Sequence, residues 1–337
     1  MQTTVQDCGR HGWQHVGVVP SGAMDCASLQ LANALVGNSL DLAGLEITLR
    51  GPTLLFQCDT LLALAGAQFG ARLNMGGHEL PCPLNRPVLL HAGDRLSIDQ
   101  PRQGFRAYLA IAGGIDVAAT LGSRCTYLAA AMGGFEGRAL KKGDLLRLAG
   151  DAHDLAHARF DQLAGDPSTT ATQLHSVRWS VAPRSLPRDE PTAVRCGDGR
   201  HRHFFTPGAL AAFEADSYRI SPQSNRMGYR MLGARLERAQ AGDILSEPTA
   251  LGTVQVPADG LPIVLMADHQ TTGGYAKIAE VATADIGRLA QLRPGQEVRF
   301  VRCTLAEARA LAQAEHQALQ VAIQAIRLKY NAPTAGH

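Results

Sequence analysis

A chain of 337 residues that is 45% hydrophobic and 18% charged is long enough for two domains, each burying its own core. Its formal net charge of +2, without a dense lysine or arginine run, argues against nucleic acid or an anionic membrane as main partner. An aromatic content of 5% argues against stacking platforms for single strands. No stretch of about 18 apolar residues exists, and Met1-Gln2-Thr3-Thr4 lacks the basic and apolar regions of a signal peptide, so a cytoplasmic protein is expected.

In chain order, the polar, glycine-rich stretch 5–25 ends in Pro20-Ser21-Gly22 at the mouth of a helix predicted over 25–36. Asp25 caps that helix, Gly37-Asn38 stops it, and Ala27, Leu31, Ala34 and Leu35 form its apolar stripe. Short strand-like runs follow at 44–49, 53–57, 61–65, 88–90, 95–98, 106–111 and 145–148, several of them behind a Gly-Asp turn. Residues 150–175 show little periodicity and read as the connection between two β-rich halves. Beyond it come a helix at 207–215, a turn at 241–243 leading to 244–246, the apolar run 263–267 and a strand at 297–300. A last helix starts at the capping box Thr304/Glu307. Residues 331–337 read as a frayed tail. Turn signals roughly every 8–12 residues favour a mainly β protein of sandwiches or barrels. The division expected is a first β half over 1–150, a linker over 151–175, a second β half over 176–303 and the helix 304–330.

Candidate chemistry concentrates where 263–267 runs into Asp268-His269-Gln270-Thr271-Thr272-Gly273-Gly274-Tyr275-Ala276-Lys277. Adjacent glycines permit positive φ and close approach of a ligand, and successive N–H groups can then converge on an anion. With Gln270, Thr271, Thr272, Tyr275 and Lys277 alongside, this is read as the edge of a polar small-molecule site; a glycine hairpin with solvated polar groups is the plain alternative. Ser21 and Gly22, before a helix N-terminus, suit a carboxylate or phosphate, against an ordinary capped loop. In 221–230, Arg226 and Arg230 offer bidentate donors beside Gln223, Ser224 and Tyr229, against simple solvation. Glu247 is a possible general base and Gln255 a possible orienter of an amide.

Seven cysteines without a C-x-x-C pair indicate neither a disulfide framework nor a zinc ribbon. His201 and His203 could share a strand face, but no third ligand is set by sequence, and no metal site is expected. A Walker loop, a G-x-S-x-G elbow and H-E-x-x-H are all missing, as is the Met-Lys-Met lysine of a biotin carrier, so no covalent biotin is expected on this chain.

The order Val5-Gln6-Asp7, Gly9-Arg10, Pro20-Ser21-Gly22-Ala23-Met24-Asp25, Leu31-Ala32-Asn33, Leu45-Glu46-Ile47-Thr48, Gly51-Pro52, Ala112-Gly113-Gly114-Ile115, Leu121-Gly122-Ser123-Arg124, the 221–230 segment and Gln270-Thr271-Thr272-Gly273-Gly274-Tyr275 resembles one family. It is that of subdomains A and B of the biotin-dependent carboxyltransferase domain, also called allophanate hydrolase subunit 2. The resemblance runs from Thr4 to about Arg302 and is strongest to the branch of the 5-oxoprolinase C component. It implies two cyclophilin-like β-barrels with a few helices, and a subunit of an ATP-dependent complex that opens 5-oxo-L-proline to L-glutamate. A smaller partner subunit of the same carboxyltransferase-like family and a third subunit are implied, with the ATP site unassigned among the chains. The family also allows a urea or amide carboxylase subunit that uses biotin on another chain, and a non-catalytic regulatory protein that antagonises a kinase inhibitor. Under the first reading Glu247, Gln270 and Thr271 are catalytic. Substrate or anion binding then falls to Ser21, Gly22, Gln223, Ser224, Arg226, Tyr229, Gln255, Thr272, Gly273, Gly274, Tyr275 and Lys277. Gln68, Asn225, His269 and Ala276 depart from the family's usual residues, and at Asn225 and His269 a charge beside the site is lost.

Overall fold

In the computed structural model, which describes residues 2–164, 174–182, 184, 186–188, 191–239 and 244–331, the chain divides into two units. The first contains Met1–Gly9, Asp25–Ser185 and Gln317–His337; the second contains Arg10–Met24 and Leu186–His316. The segment with Pro20-Ser21-Gly22 therefore groups with the second unit, although the sequence places it in the first half.

The first unit is built on β1 (Gln2–Gln6), β2 (Gly44–Thr48), β3 (Thr53–Leu55), β4 (Thr60–Met75), β5 (His78–Pro81), β6 (Pro87–Leu90) and β7 (Arg95–Ile111). They form one antiparallel sheet of order β1-β2-β7-β4-β5, with β3 added to β7 and β6 to β4. The runs 95–98 and 106–111 are two ends of one strand, because β7 pairs along its whole length with β4. That ladder shifts register at Gly66, where φ is +99° and an added Cβ would lie 2.7 Å from the Arg106 carbonyl oxygen. Only glycine fits there. Leu45, Ile47, Leu62, Leu64, Leu96 and Leu109 lead the core. Within it the Tyr108 hydroxyl donates to Glu46 Oε2 at 2.8 Å and accepts from Asp25 N at 2.7 Å.

Asp25 caps α1 (Cys26–Leu35), accepting from the Ser28 N–H at 3.3 Å. A second helix, α2 (Ala152–Ala164), occupies much of the stretch read as a linker. It buries Ala152, Ala156, Phe160 and Leu163, a helical spacing that small alanines and interspersed polar residues disguise. The rest of that stretch, 165–173, lies outside the described residues. The strand expected at 145–148 is not formed: only Leu148 makes a bridge, to Ile115, while Leu145 is exposed.

The second unit contains β8 (Thr192–Asp198), α3 (Pro207–Ala215), β9 (Ser217–Ile220), β10 (Gly228–Leu232), β11 (Glu247–Pro248), β12 (Thr253–Val256), β13 (Ile263–Leu265), β14 (Thr272–Gly273), β15 (Ala276–Val281), α4 (Thr283–Ala290) and β16 (Glu297–Arg302). Seven of these strands close a barrel in the order β10-β13-β12-β15-β8-β16-β9, in which β8 and β16 pair in parallel. Closure leaves none of its strands with an open edge. Phe213 and Phe300 stack at 4.6 Å in the core, with Tyr218 tilted against both. Asp285, fully buried in the first turn of α4, accepts from Arg195 N and Nε at 2.7 Å each. β11 and β14 form a separate two-stranded ribbon. The turn expected at 241–243 lies outside the described residues. The last helix, α5 (Leu305–Tyr330), opens with the expected capping box: Thr304 N donates to Glu307 Oε2 at 2.7 Å and Glu307 N to Thr304 Oγ1 at 3.2 Å. Among the described residues no helix is long and apolar enough to cross a membrane.

Phe300 fills the barrel centre, so Phe300→Ala should cost about 3–5 kcal/mol of stability. Urea unfolding monitored by circular dichroism measures it, and a loss below about 1 kcal/mol would contradict this packing.

Candidate functional site

Most of the polar residues singled out in the sequence meet in the second unit, in two adjoining clusters. The first forms around Asp268. Its Oδ1 accepts from the Ser21 hydroxyl at 2.6 Å and from Arg226 Nη2 at 3.0 Å, while Oδ2 accepts from Arg226 Nε at 3.0 Å. Arg226 Nη2 also donates to the Gly22 carbonyl, and the Asp268 N–H donates to the Arg226 carbonyl at 2.8 Å. Ser21 and Gly22 adopt positive φ, 56° and 91°, which turns the Pro-Ser-Gly corner toward these partners. Arg226 and Asp268 are only 5% and 4% exposed. The guanidinium is thus matched inside the protein, where it and the Ser21 hydroxyl hold the Asp268 carboxylate.

The second cluster forms where β11 pairs with β14, setting Glu247 opposite Gly273. Glu247 Oε1 lies 3.0 Å from Lys277 Nζ and 3.4 Å from His201 Nε2, and Oε2 lies 3.3 Å from Arg200 Nη1. Lys277, on β15, is buried and also donates to the Pro248 carbonyl. The Lys277 N–H donates to His201 Nδ1 at 3.2 Å, so the imidazole proton sits on Nε2, facing Glu247. The Lys277 hydrogen bond, outweighing burial, holds the Glu247 carboxyl below its ordinary range. Burial lowers His201, so its ring is neutral and the cluster keeps one surplus positive charge from Lys277 and Arg200 against Glu247. A carboxylate so held is a weaker proton acceptor than a free one.

Beside it, the backbone of Gly273 is approached by two carboxamides. A Cβ there would lie 2.7 Å from Gln255 Nε2 and 3.0 Å from Gln270 Nε2. Gln255 is buried, pairs across strands with Lys277, and its Nε2 has no hydrogen-bond partner among the described residues. Neither Gly273 nor Gly274 has positive φ, so the N–H nest expected from the Gly-Gly pair does not form. The missing Cβ matters instead, because it lets the amides in. His269 Nδ1 lies 2.8 Å from the Gln270 carbonyl and carries the proton donated to it, leaving Nε2 as the basic nitrogen. Burial lowers this imidazole below its ordinary 6.5, against smaller opposing effects from Gln270 and Asp268. Thr249 donates its hydroxyl to the Gln270 carbonyl and its N–H to the Thr271 carbonyl at 3.0 Å, zipping the two loops together.

The remaining expected residues part company with this group. Tyr229 is buried in the barrel core, its hydroxyl 3.5 Å from the Leu292 carbonyl. The Ser224 hydroxyl bonds the backbone of Arg230 and shapes its own loop. Gln223, Thr272 and Tyr275 are exposed. Asn225 accepts from the Met227 N–H at 2.8 Å, a turn role. Sequence reasoning missed Asp268, His269, Arg200 and His201 as site residues. His201 was weighed only as a partner of His203, whose ring packs on Phe204.

Asp268→Ala removes the carboxylate partner of a buried guanidinium and should cost about 3–5 kcal/mol in urea unfolding. Acidification tests His269 separately. Because folding lowers the His269 pKa, the unfolded chain binds the extra proton. Its contribution is therefore complete above pH 6.5 and is lost as the pH falls through the lower folded value. Melting temperature should then fall more steeply with acidification below pH 6.5 in the wild type than in His269→Gln; equal slopes would refute the assignment.

Residues 16–302 match the family described as carboxyltransferase domain, subdomain A and B. The chain is 41% identical to the C component of 5-oxoprolinase from Escherichia coli (strain K12), over 91% of this chain and 90% of that protein. It is 34% identical to urea amidolyase of Lachancea kluyveri, over 94% of this chain but 17% of that protein. The solved urea carboxylase of Kluyveromyces lactis is similar with a TM-score of 0.82 at 31% identity, covering 95% of this chain and 28% of that one. The chain thus spans nearly all of the first relative and less than a third of the other two. On the length of that match and these identities, the chain belongs to the carboxyltransferase domain, subdomain A and B family.

Proposed function

We propose that this chain is a subunit of an ATP-dependent assembly that opens the lactam of 5-oxo-L-proline to L-glutamate, with partner subunits supplying the remaining chemistry. One observation carries the reading: a buried Gln255 amide, whose Nε2 has no hydrogen-bond partner among the described residues, and the Gln270 amide converge on Gly273 beside the Lys277–Glu247 pair. Amide N–H groups fit a carbonyl oxygen that gains charge as water adds. The surplus positive charge of Lys277 and Arg200 fits the substrate carboxylate. His269, neutral and presenting Nε2, is suited to take a proton from the attacking water. Water oxygen then bonds to the carbonyl carbon, the ring C–N bond breaks, and the nitrogen gains a proton. Glu247 positions Lys277 in this scheme. The likeness to the Escherichia coli 5-oxoprolinase C component along nearly the whole of both chains supports the same reading.

The site does not suit a triphosphate, since one surplus charge cannot offset its several negative charges, so no ATP step is assigned to this chain. A second reading is favoured by the urea amidolyase and urea carboxylase likeness: a carboxyltransferase half that receives biotin from another chain, whose ureido carbonyl the same two amides would meet.

Reconstituted with its partner subunits, the chain should release glutamate from 5-oxoproline only when ATP is present. Gln255→Leu, which keeps the volume and removes the amide, should lower kcat/KM by roughly 10²–10³-fold with little change in melting temperature. Gly273→Ala should do the same through its clash with Gln255. Unchanged turnover in both variants would refute the site, whereas a requirement for biotin and bicarbonate would transfer it to the second reading.

A further inference from the structure

The first unit gathers histidines that the site above does not use. His153 and His157 stand four residues apart on α2, hence on one helix face. Both reach the same carboxylate: His157 Nε2 lies 2.7 Å from Asp59 Oδ2, and His153 Nδ1 lies 3.8 Å from it. His91 Nδ1 also reaches Asp59 Oδ2, at 2.9 Å, and its Nε2 continues to His175 Nδ1 at 3.2 Å. The other Asp59 oxygen accepts from the Ala92 N–H at 3.0 Å. Asp59 itself is largely covered, whereas the His153 side chain is 58% exposed.

Three imidazoles around one carboxylate, with a fourth behind His91, exceed what a structural hydrogen bond requires. A single His–Asp pair would tie α2 to the residues before β4. The pair at i and i+4 on a helix adds the spacing by which two imidazoles chelate one ion. The three candidate donor atoms of Asp59, His153 and His157 all lie within 4.8 Å of one another. An ion held tetrahedrally at about 2.0–2.1 Å from each donor needs those donors roughly 3.3–3.5 Å apart. The separations of 2.7 and 3.8 Å from Asp59 bracket that value, so the set completes when the His157 contact opens by less than about 1 Å and the exposed His153 ring turns inward.

We propose that Asp59, His153 and His157 bind a first-row divalent transition cation, with His91 steadying the carboxylate through its Nδ1–H. Two imidazoles and one carboxylate favour zinc-like ions over calcium or magnesium. On binding, the cation replaces the proton on His157 Nε2, which leaves to solvent. Three protein ligands on an exposed face leave a coordination position for water. This site is separate from the Gln255–Lys277 cluster and stands whether or not the lactam reading does.

The test is calorimetric titration of Zn²⁺ into the chelator-treated full chain, beside a His153→Ala/His157→Ala double variant and His91→Ala, with circular dichroism to verify folding. The wild type should bind one more Zn²⁺ per chain than the double variant. His91→Ala should keep the stoichiometry but weaken the affinity about 10–100-fold. The exposed His153→Ala single variant serves should the double variant unfold; it should weaken binding at least about 10-fold. Equal binding by the wild type and the histidine variants would assign the ion to other ligands, such as Cys8 and Cys26, whose sulfurs lie 2.6 Å apart, and would overturn the proposal. So would no binding by the wild type.

Discussion

In the second unit, the Asp268 carboxylate accepts from Arg226 and from Ser21 at once, which anchors the point where the chain runs into His269 and Gln270. Three stretches far apart in sequence converge on that one side chain. Removing two charges from water costs several kcal/mol each, and the bidentate geometry with the Ser21 bond offsets much of that. The arrangement therefore tolerates no half measure: either all three segments are in register or a buried charge is stranded. His269 and Gln270 follow Asp268 directly in the chain, so the same constraint sets where the imidazole and the amide begin.

Electrostatics also sorts the roles of neighbouring groups. Glu247 lies among Lys277, Arg200 and His201 and is held as an anion of low basicity. His269, buried and bonded through Nδ1, is held as a neutral base. An exposed acid and an exposed histidine would differ little in chemistry near neutrality; burial and neighbours separate them. The Gln255 amide gains its significance in the same way, from burial of an Nε2 that has no partner among the described residues, where an unmade hydrogen bond is expensive.

Local signals were legible where chemistry is local. The Asp25 cap, the Thr304/Glu307 box and the Pro207 helix start all read directly from adjacent residues. The β-rich character read from turn spacing, and the run 263–267 feeding a polar loop read from its abrupt change in composition. What did not read was pairing at long range. Arg226 meets Asp268 across 42 positions, and no local pattern announces it. The Gly-Gly pair looked like a positive-φ turn because composition cannot distinguish conformational freedom from lack of a Cβ, and here the second property is used. The helix α2 was hidden by alanines on its buried face, and with it the alignment of His153 and His157.

The grouping of Arg10–Met24 with the barrel has a consequence for how the protein can be divided. The chain leaves the first unit after Gly9 and re-enters it at Asp25, so no single cut near the middle yields a self-sufficient C-terminal piece. A fragment starting at Leu186 would carry Arg226 and Asp268 but lack the hydroxyl and the carbonyl that complete their bonding. The insertion makes the two units one heritable module: a gene fusion or exchange must carry the first two dozen codons along with the barrel, or deliver a clamp missing its jaw.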